Sequence, residues 1–81
     1  MERQELICKI LKERYGISNS INTETNLIEE FGFESIAFVE LAAALGDETG
    51  VRIAPIHAAK WTTVQSVLET MSAVEEAAAG N

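Results

Sequence analysis

The segment from Ser35 to Thr49 constrains the fold of this chain most strongly, because it carries apolar residues on two opposite sides of a helix. At about 100° per residue, Phe38, Leu41 and Leu45 cluster on one side, with Ala42 and Thr49 beside them. Ile36, Val39 and Ala43 fall on the other, alongside Glu40 and Asp47. Such a helix is either buried all round or binds something. A chain of 81 residues predicts only a few helices, too few to enclose one completely. The Phe38 side is therefore the expected core face. Ile36, Val39, Glu40, Ala43 and Asp47 form the expected partner-facing surface. The competing expectation is that loop 17–34 folds over that second side.

The remaining periodicity is also helical. Leu6, Ile7, Ile10 and Leu11 predict a first helix over about residues 2–15, stopped at Gly16. Residues 17–34 show no sustained period and are expected to form a long loop, pinned by Ile17, Ile21, Leu27, Ile28, Phe31 and Phe33. The second helix spans 35–49 and ends at Gly50, with a bend possible at Gly46. Pro55 suits the first turn of a short third helix, about 56–60. Thr62 and Gln65 have capping-box spacing at the start of a last helix, about 63–77. Val64, Val67, Leu68, Met71 and Val74 supply its apolar stripe, and residues 78–81 are expected to fray. The pattern is that of one all-α domain over 1–81, a four-helix bundle with a short third helix and a long loop after the first.

Charge narrows the partners. The net charge is −7. All six bases (Arg3, Lys9, Lys12, Arg14, Arg52, Lys60) lie outside the stretch from Tyr15 to Val51. That stretch holds seven acids: Glu24, Glu29, Glu30, Glu34, Glu40, Asp47 and Glu48. The other six acids balance the bases, so the whole net charge sits in the middle. Such a field repels nucleic acid and anionic lipid and attracts basic protein surfaces. Alone, it reads as a solvated surface that aids solubility; together with the serine described below, it reads as a docking surface. The acids lack calcium-loop spacing, and His57 is alone, so neither a metal site nor a nucleophile–base pair has support. Cys8, the one cysteine, falls off the first helix's apolar stripe and reads as an inert thiol. It cannot form an internal disulfide, which fits a reducing compartment. Without a leader pattern or membrane-length apolar run, a soluble cytoplasmic protein is expected. Trp61 reads as a packing residue.

Ser35 stands where loop becomes helix, beside Glu34, in the run Gly32-Phe33-Glu34-Ser35-Ile36-Ala37-Phe38-Val39-Glu40-Leu41. An isolated serine there would be read as a cap. In its context, the chain resembles the acyl carrier protein family from about Leu6 to Met71. Glu34-Ser35-Ile36 matches the family's Asp-Ser-Leu triplet. Leu27, Phe31-Gly32-Phe33, Val39-Glu40-Leu41, Leu45, Gly50-Val51-Arg52-Ile53 and Lys60-Trp61-Thr62-Thr63-Val64 fit at compatible spacing.

The resemblance implies a carrier rather than an enzyme. Ser35 would carry 4'-phosphopantetheine donated by coenzyme A, flanked by Glu34 and Ile36, and acyl groups would ride on its thiol as thioesters. Phe38, Leu41 and Leu45 would line the space where an acyl chain slips between helices. The implied partners are a phosphopantetheinyl transferase, an acyl-loading ligase or transacylase, and synthases or acyltransferases of fatty-acid, specialised-lipid or polyketide assembly, with basic docking patches. A monomer is expected. Three departures suggest a specialised carrier: Glu34 for aspartate, Phe38 where a smaller polar residue is usual, and Gly46 where an acid is common. The alternatives are a peptidyl or aminoacyl carrier, and an unmodified helical adaptor.

Overall fold

The computed structural model describes residues 2–79. Five helices follow one another: α1 (Arg3–Tyr15), α2 (Leu27–Phe31), α3 (Ser35–Thr49), α4 (Pro55–Ala58) and α5 (Val64–Ala79). The first and third begin and end where periodicity and glycine stops place them, with Glu2 standing at the cap of α1. The short helix before α5 starts one residue earlier than expected, on Pro55 itself, and is over by Ala58. The last helix runs on through Ala78 and Ala79, where fraying was expected; Gly80 and Asn81 lie outside the described residues.

The expected long loop contains a further short helix, α2, so the all-α architecture has five helices among the described residues. Asn26 explains it: its side-chain oxygen accepts from the amides of Ile28 and Glu29, both at 3.0 Å. The helix stops at Gly32, whose φ of 68° is a geometry glycine adopts without strain. The same loop is tied to the start of α5 through backbone bonds. The Leu27 amide donates to the Thr62 carbonyl at 2.8 Å, and the Val64 amide donates to the Thr25 carbonyl at 3.1 Å. The Gln65 amide donates to Thr23 at 2.9 Å. Loop carbonyls thus satisfy amides that helix α5 would leave open.

The cap of α5 is also shifted by one residue. Thr63 and Ser66, rather than Thr62 and Gln65, form the reciprocal pair: the Ser66 amide donates to Thr63 Oγ1 and the Thr63 amide to Ser66 Oγ, each at 3.2 Å. Thr62 is held instead in the pairing with Leu27, and the Gln65 side chain turns to Glu69.

The core gathers Leu6, Ile7, Ile10 and Leu11 from α1, Phe38, Leu41 and Leu45 from α3, and Val64, Val67 and Met71 from α5, around a buried Trp61. Leu68 and Val74 of the α5 stripe are only half-buried. Among the described residues, ion pairs join elements at the bundle's surface, Arg3 with Glu75 and Lys9 with Glu48. Helix α3 runs through Gly46 without a break. What that glycine permits is close approach: a Cβ there would sit 3.3 Å from the Val51 carbonyl oxygen.

Candidate functional site

Glu34, Ser35 and Ile36 form an exposed triplet between two buried phenylalanines. Phe33 lies in the core just before it and Phe38 just after, their ring centroids 5.3 Å apart. The approach is fixed by α2, since the Phe33 amide donates to the Leu27 carbonyl at 3.2 Å. The departure is fixed by α1, since the Tyr15 hydroxyl donates to the Ala37 carbonyl at 3.1 Å. An exposed serine is thereby held on a firm base.

Ser35 is the first residue of α3, and its hydroxyl makes no hydrogen bond among the described residues. The cap position belongs to Glu34, in extended geometry, and the Glu34 side chain makes no capping bond either. The first helical bond is from the Phe38 amide to the Glu34 carbonyl, so the amides ahead of it point out of the helix end. No acid lies in the first turn of α3. Free amides and the positive end of a helix dipole suit a phosphate there, and the one carboxylate beside it is the exposed Glu34 at the cap.

The two sides of α3 separate as their residues suggest. Phe38, Leu41, Ala42 and Leu45 are buried. Ile36 is 74% exposed and Val39 42%. Glu40, Ala43 and Asp47 are exposed beside them, uncovered by loop 17–34. Ile56, on α4, is 67% exposed. All seven acids of the middle segment are exposed, and one of them, Glu48, pairs with Lys9.

A groove of about 420 Å³ opens between α3 and the segment leading into α4. Val39, Ala42, Ala43, Gly46 and Ile53 line it, together with Asp47 and Arg52. Phe38, Leu41 and Leu45, the residues the sequence assigns to an acyl pocket, lie in the core, and none of them lines this groove.

Four aromatic side chains, Tyr15, Phe33, Phe38 and Trp61, form a row. Ring centroids are 5.0 Å apart for Tyr15 and Phe33, 5.3 Å for Phe33 and Phe38, and 6.3 Å for Phe38 and Trp61. Burial raises the Tyr15 phenol above its ordinary value, and Glu40 adds to the effect while Arg14 opposes it. No local pattern signals the Tyr15 brace, because it joins residues far apart in the chain. The turn that leads into Ser35 had a signal, Asn26 followed by acids and then Gly32.

Residues 5–71 match the phosphopantetheine attachment site family. The chain belongs to that family, and its prosthetic group is covalently bound 4'-phosphopantetheine. Its fold is also that of a solved Mycobacterium tuberculosis protein provisionally described as an acyl carrier protein: TM-score 0.76 at 23% identity, over 86% of this chain and 95% of the other. The family consists of carriers rather than catalysts, and its members work with a phosphopantetheinyl transferase and acyl-handling enzymes. Among the described residues, no helix is long and apolar enough to cross a membrane.

Proposed function

We propose that this protein is a discrete acyl carrier and that Ser35 is its attachment residue, with Glu34 and Ile36 as the flanking residues a transferase reads. The observation that carries this reading is the exposed, unpartnered Ser35 hydroxyl held between buried Phe33 and Phe38. The serine oxygen would bond to phosphorus as the phosphoanhydride of coenzyme A breaks, with adenosine 3',5'-bisphosphate as the leaving group and the hydroxyl proton passing to a base of the transferase. When bound, the group supplies a thiol that holds acyl chains as thioesters.

Ile36, Val39, Glu40, Ala43 and Asp47 make the docking face in this reading. Exposed aliphatic residues beside unpaired carboxylates suit an enzyme surface with a basic rim and an apolar centre. Because a carrier must move on, contacts below roughly 1,200 Å² are expected, with the protein acting as a monomer in the cytoplasm. The acidic surface beside Ser35 favours acyl over peptidyl or aminoacyl cargo, for fatty-acid, lipid or polyketide assembly.

The test is a mass measurement after incubation with coenzyme A and a broad-specificity phosphopantetheinyl transferase. The wild type gains one arm and Ser35→Ala gains none. No gain, or a gain that survives Ser35→Ala, defeats the assignment. Loading with acyl rather than aminoacyl ligases checks the cargo.

A further inference from the structure

We propose that the edge from Arg52 to Lys60 is a second docking edge, opposite in charge to α3, and that the enzyme partner of this carrier meets it with carboxylates. The inference rests on the proposed docking face of α3 and adds the charge pattern that its partner must carry.

The surface changes sign across the groove. The α3 side presents Glu40 and Asp47, both exposed. After Glu48 no acid follows until Glu69, and that interval holds Arg52, His57 and Lys60. All three are exposed, and neither Arg52 nor Lys60 has an ion-pair partner among the described residues. Asp47 of α3 and Arg52 of the facing segment line the same groove, so the two charges border one continuous surface.

The edge is firmly held and aimed outward. The Ala59 amide donates to the Pro55 carbonyl at 3.0 Å, and the Lys60 and Trp61 amides donate to the His57 and Ala58 carbonyls, each at 3.1 Å. Near-helical turns thus run from Pro55 to Trp61. Ala58 and Trp61 are buried and pin these turns from the inner side. At about 100° per residue, Ile56 and Lys60 each fall about 160° from Ala58, on the outer side. Ile56 is 67% exposed. An aliphatic side chain presented to water on a fixed backbone gains by being covered.

A uniformly basic enzyme surface gains at Glu40 and Asp47 but loses at Arg52 and Lys60, where like charges meet. A surface with bases opposite α3, carboxylates opposite Arg52 and Lys60, and an apolar socket for Ile56 gains at all three. The bases of this edge therefore select among enzymes by repulsion as well as attraction.

The test places a photo-crosslinking residue at Ile56, and separately at Val39, in the full protein expressed in its own cells. Mass spectrometry maps the crosslinked enzyme peptides. The surface captured from Ile56 is expected to carry Asp or Glu. Its capture falls about 10-fold or more in Arg52→Glu with Lys60→Glu. Capture returns when those enzyme carboxylates are changed to lysine. Arg52→Gln with Lys60→Gln serves if the reversed variant does not fold, with a smaller loss. A captured surface without carboxylates, capture that survives the replacements, or a reversal that the enzyme's lysines do not rescue overturns the proposal. Capture from Val39 alone overturns it too and leaves the α3 face standing. Capture from neither defeats both.

Discussion

The Tyr15 hydroxyl donates to the carbonyl of Ala37 at 3.1 Å, joining the end of α1 to the first turn of α3. The bond lies two residues from Ser35 and steadies the helix end on which the serine sits. Removing the hydroxyl should therefore loosen both the fold and the site. Tyr15→Phe is expected to cost about 1 kcal/mol in urea unfolding, the usual net value of one such bond. An unchanged midpoint would show that the brace contributes nothing.

The same phenol gives a pH dependence with a definite sign. Burial, reinforced by Glu40, raises its pKa above the ordinary 10.0, so the native state holds the proton more tightly than the unfolded chain. Its contribution to stability is complete below pH 10.0 and falls as pH rises through the raised native value. The stability gap between wild type and Tyr15→Phe should accordingly narrow in alkaline solution. A gap that widens there would reverse the assignment.

Trp61 tests the other end of the aromatic row. Its indole N–H is buried and bonds Thr70 Oγ1 at 2.9 Å. Thr70→Val keeps the shape of the side chain and removes the acceptor, leaving a buried donor unpaired. A loss of roughly 1–3 kcal/mol is expected. The fluorescence of Trp61, the only tryptophan, reports unfolding directly in a urea titration.

Local pattern carried much of this architecture. The stripe of α1, the two-sided α3 and the stops at Gly16 and Gly50 are written in residue spacing, and the structure follows them. Helix α2 was illegible to periodicity because its five residues are too short to show a repeat. Its cap residue, Asn26, was in plain view but preceded no apolar stripe. The misplaced cap of α5 has a different cause. Thr62 with Gln65 and Thr63 with Ser66 share the same spacing, and the choice is made by Thr62 pairing with Leu27 across the chain. No local rule contains that contact. At the site, the exposure of Ser35 between buried Phe33 and Phe38 follows from alternating character along the run, whereas the groove depends on how the segment after Gly50 folds back on Gly46.

Ser35 makes a sharper stability prediction than its position at a helix start suggests. A serine that caps a helix costs about 0.5–2 kcal/mol when changed to alanine. Here Glu34 occupies the cap position, and the Ser35 hydroxyl has no hydrogen-bond partner among the described residues. Ser35→Ala in the unmodified protein should leave stability within about 0.5 kcal/mol of wild type, as for other exposed positions without a special role. A loss above 1 kcal/mol would return Ser35 to a structural role.

The docking face is tested by kinetics rather than by stability. Glu40 and Asp47 are exposed on the same side of α3 as Ile36, Val39 and Ala43, and neither has an ion-pair partner among the described residues. Replacing them as Glu40→Gln with Asp47→Asn removes charge while keeping size, and it breaks no contact that holds the fold. If a basic enzyme surface is drawn to this face, the double variant associates more slowly at low salt, by about 10-fold. Its association rate should also depend less on ionic strength, since fewer charges are left to screen. Dissociation should change less, because exposed charges at an interface rim act mainly on encounter. Stopped-flow association with the transferase across a salt series measures all three quantities. Rates and salt slopes equal to those of the wild type would place the contact elsewhere, and the same replacement at Glu29 and Glu30 of α2 would then be the next surface to try.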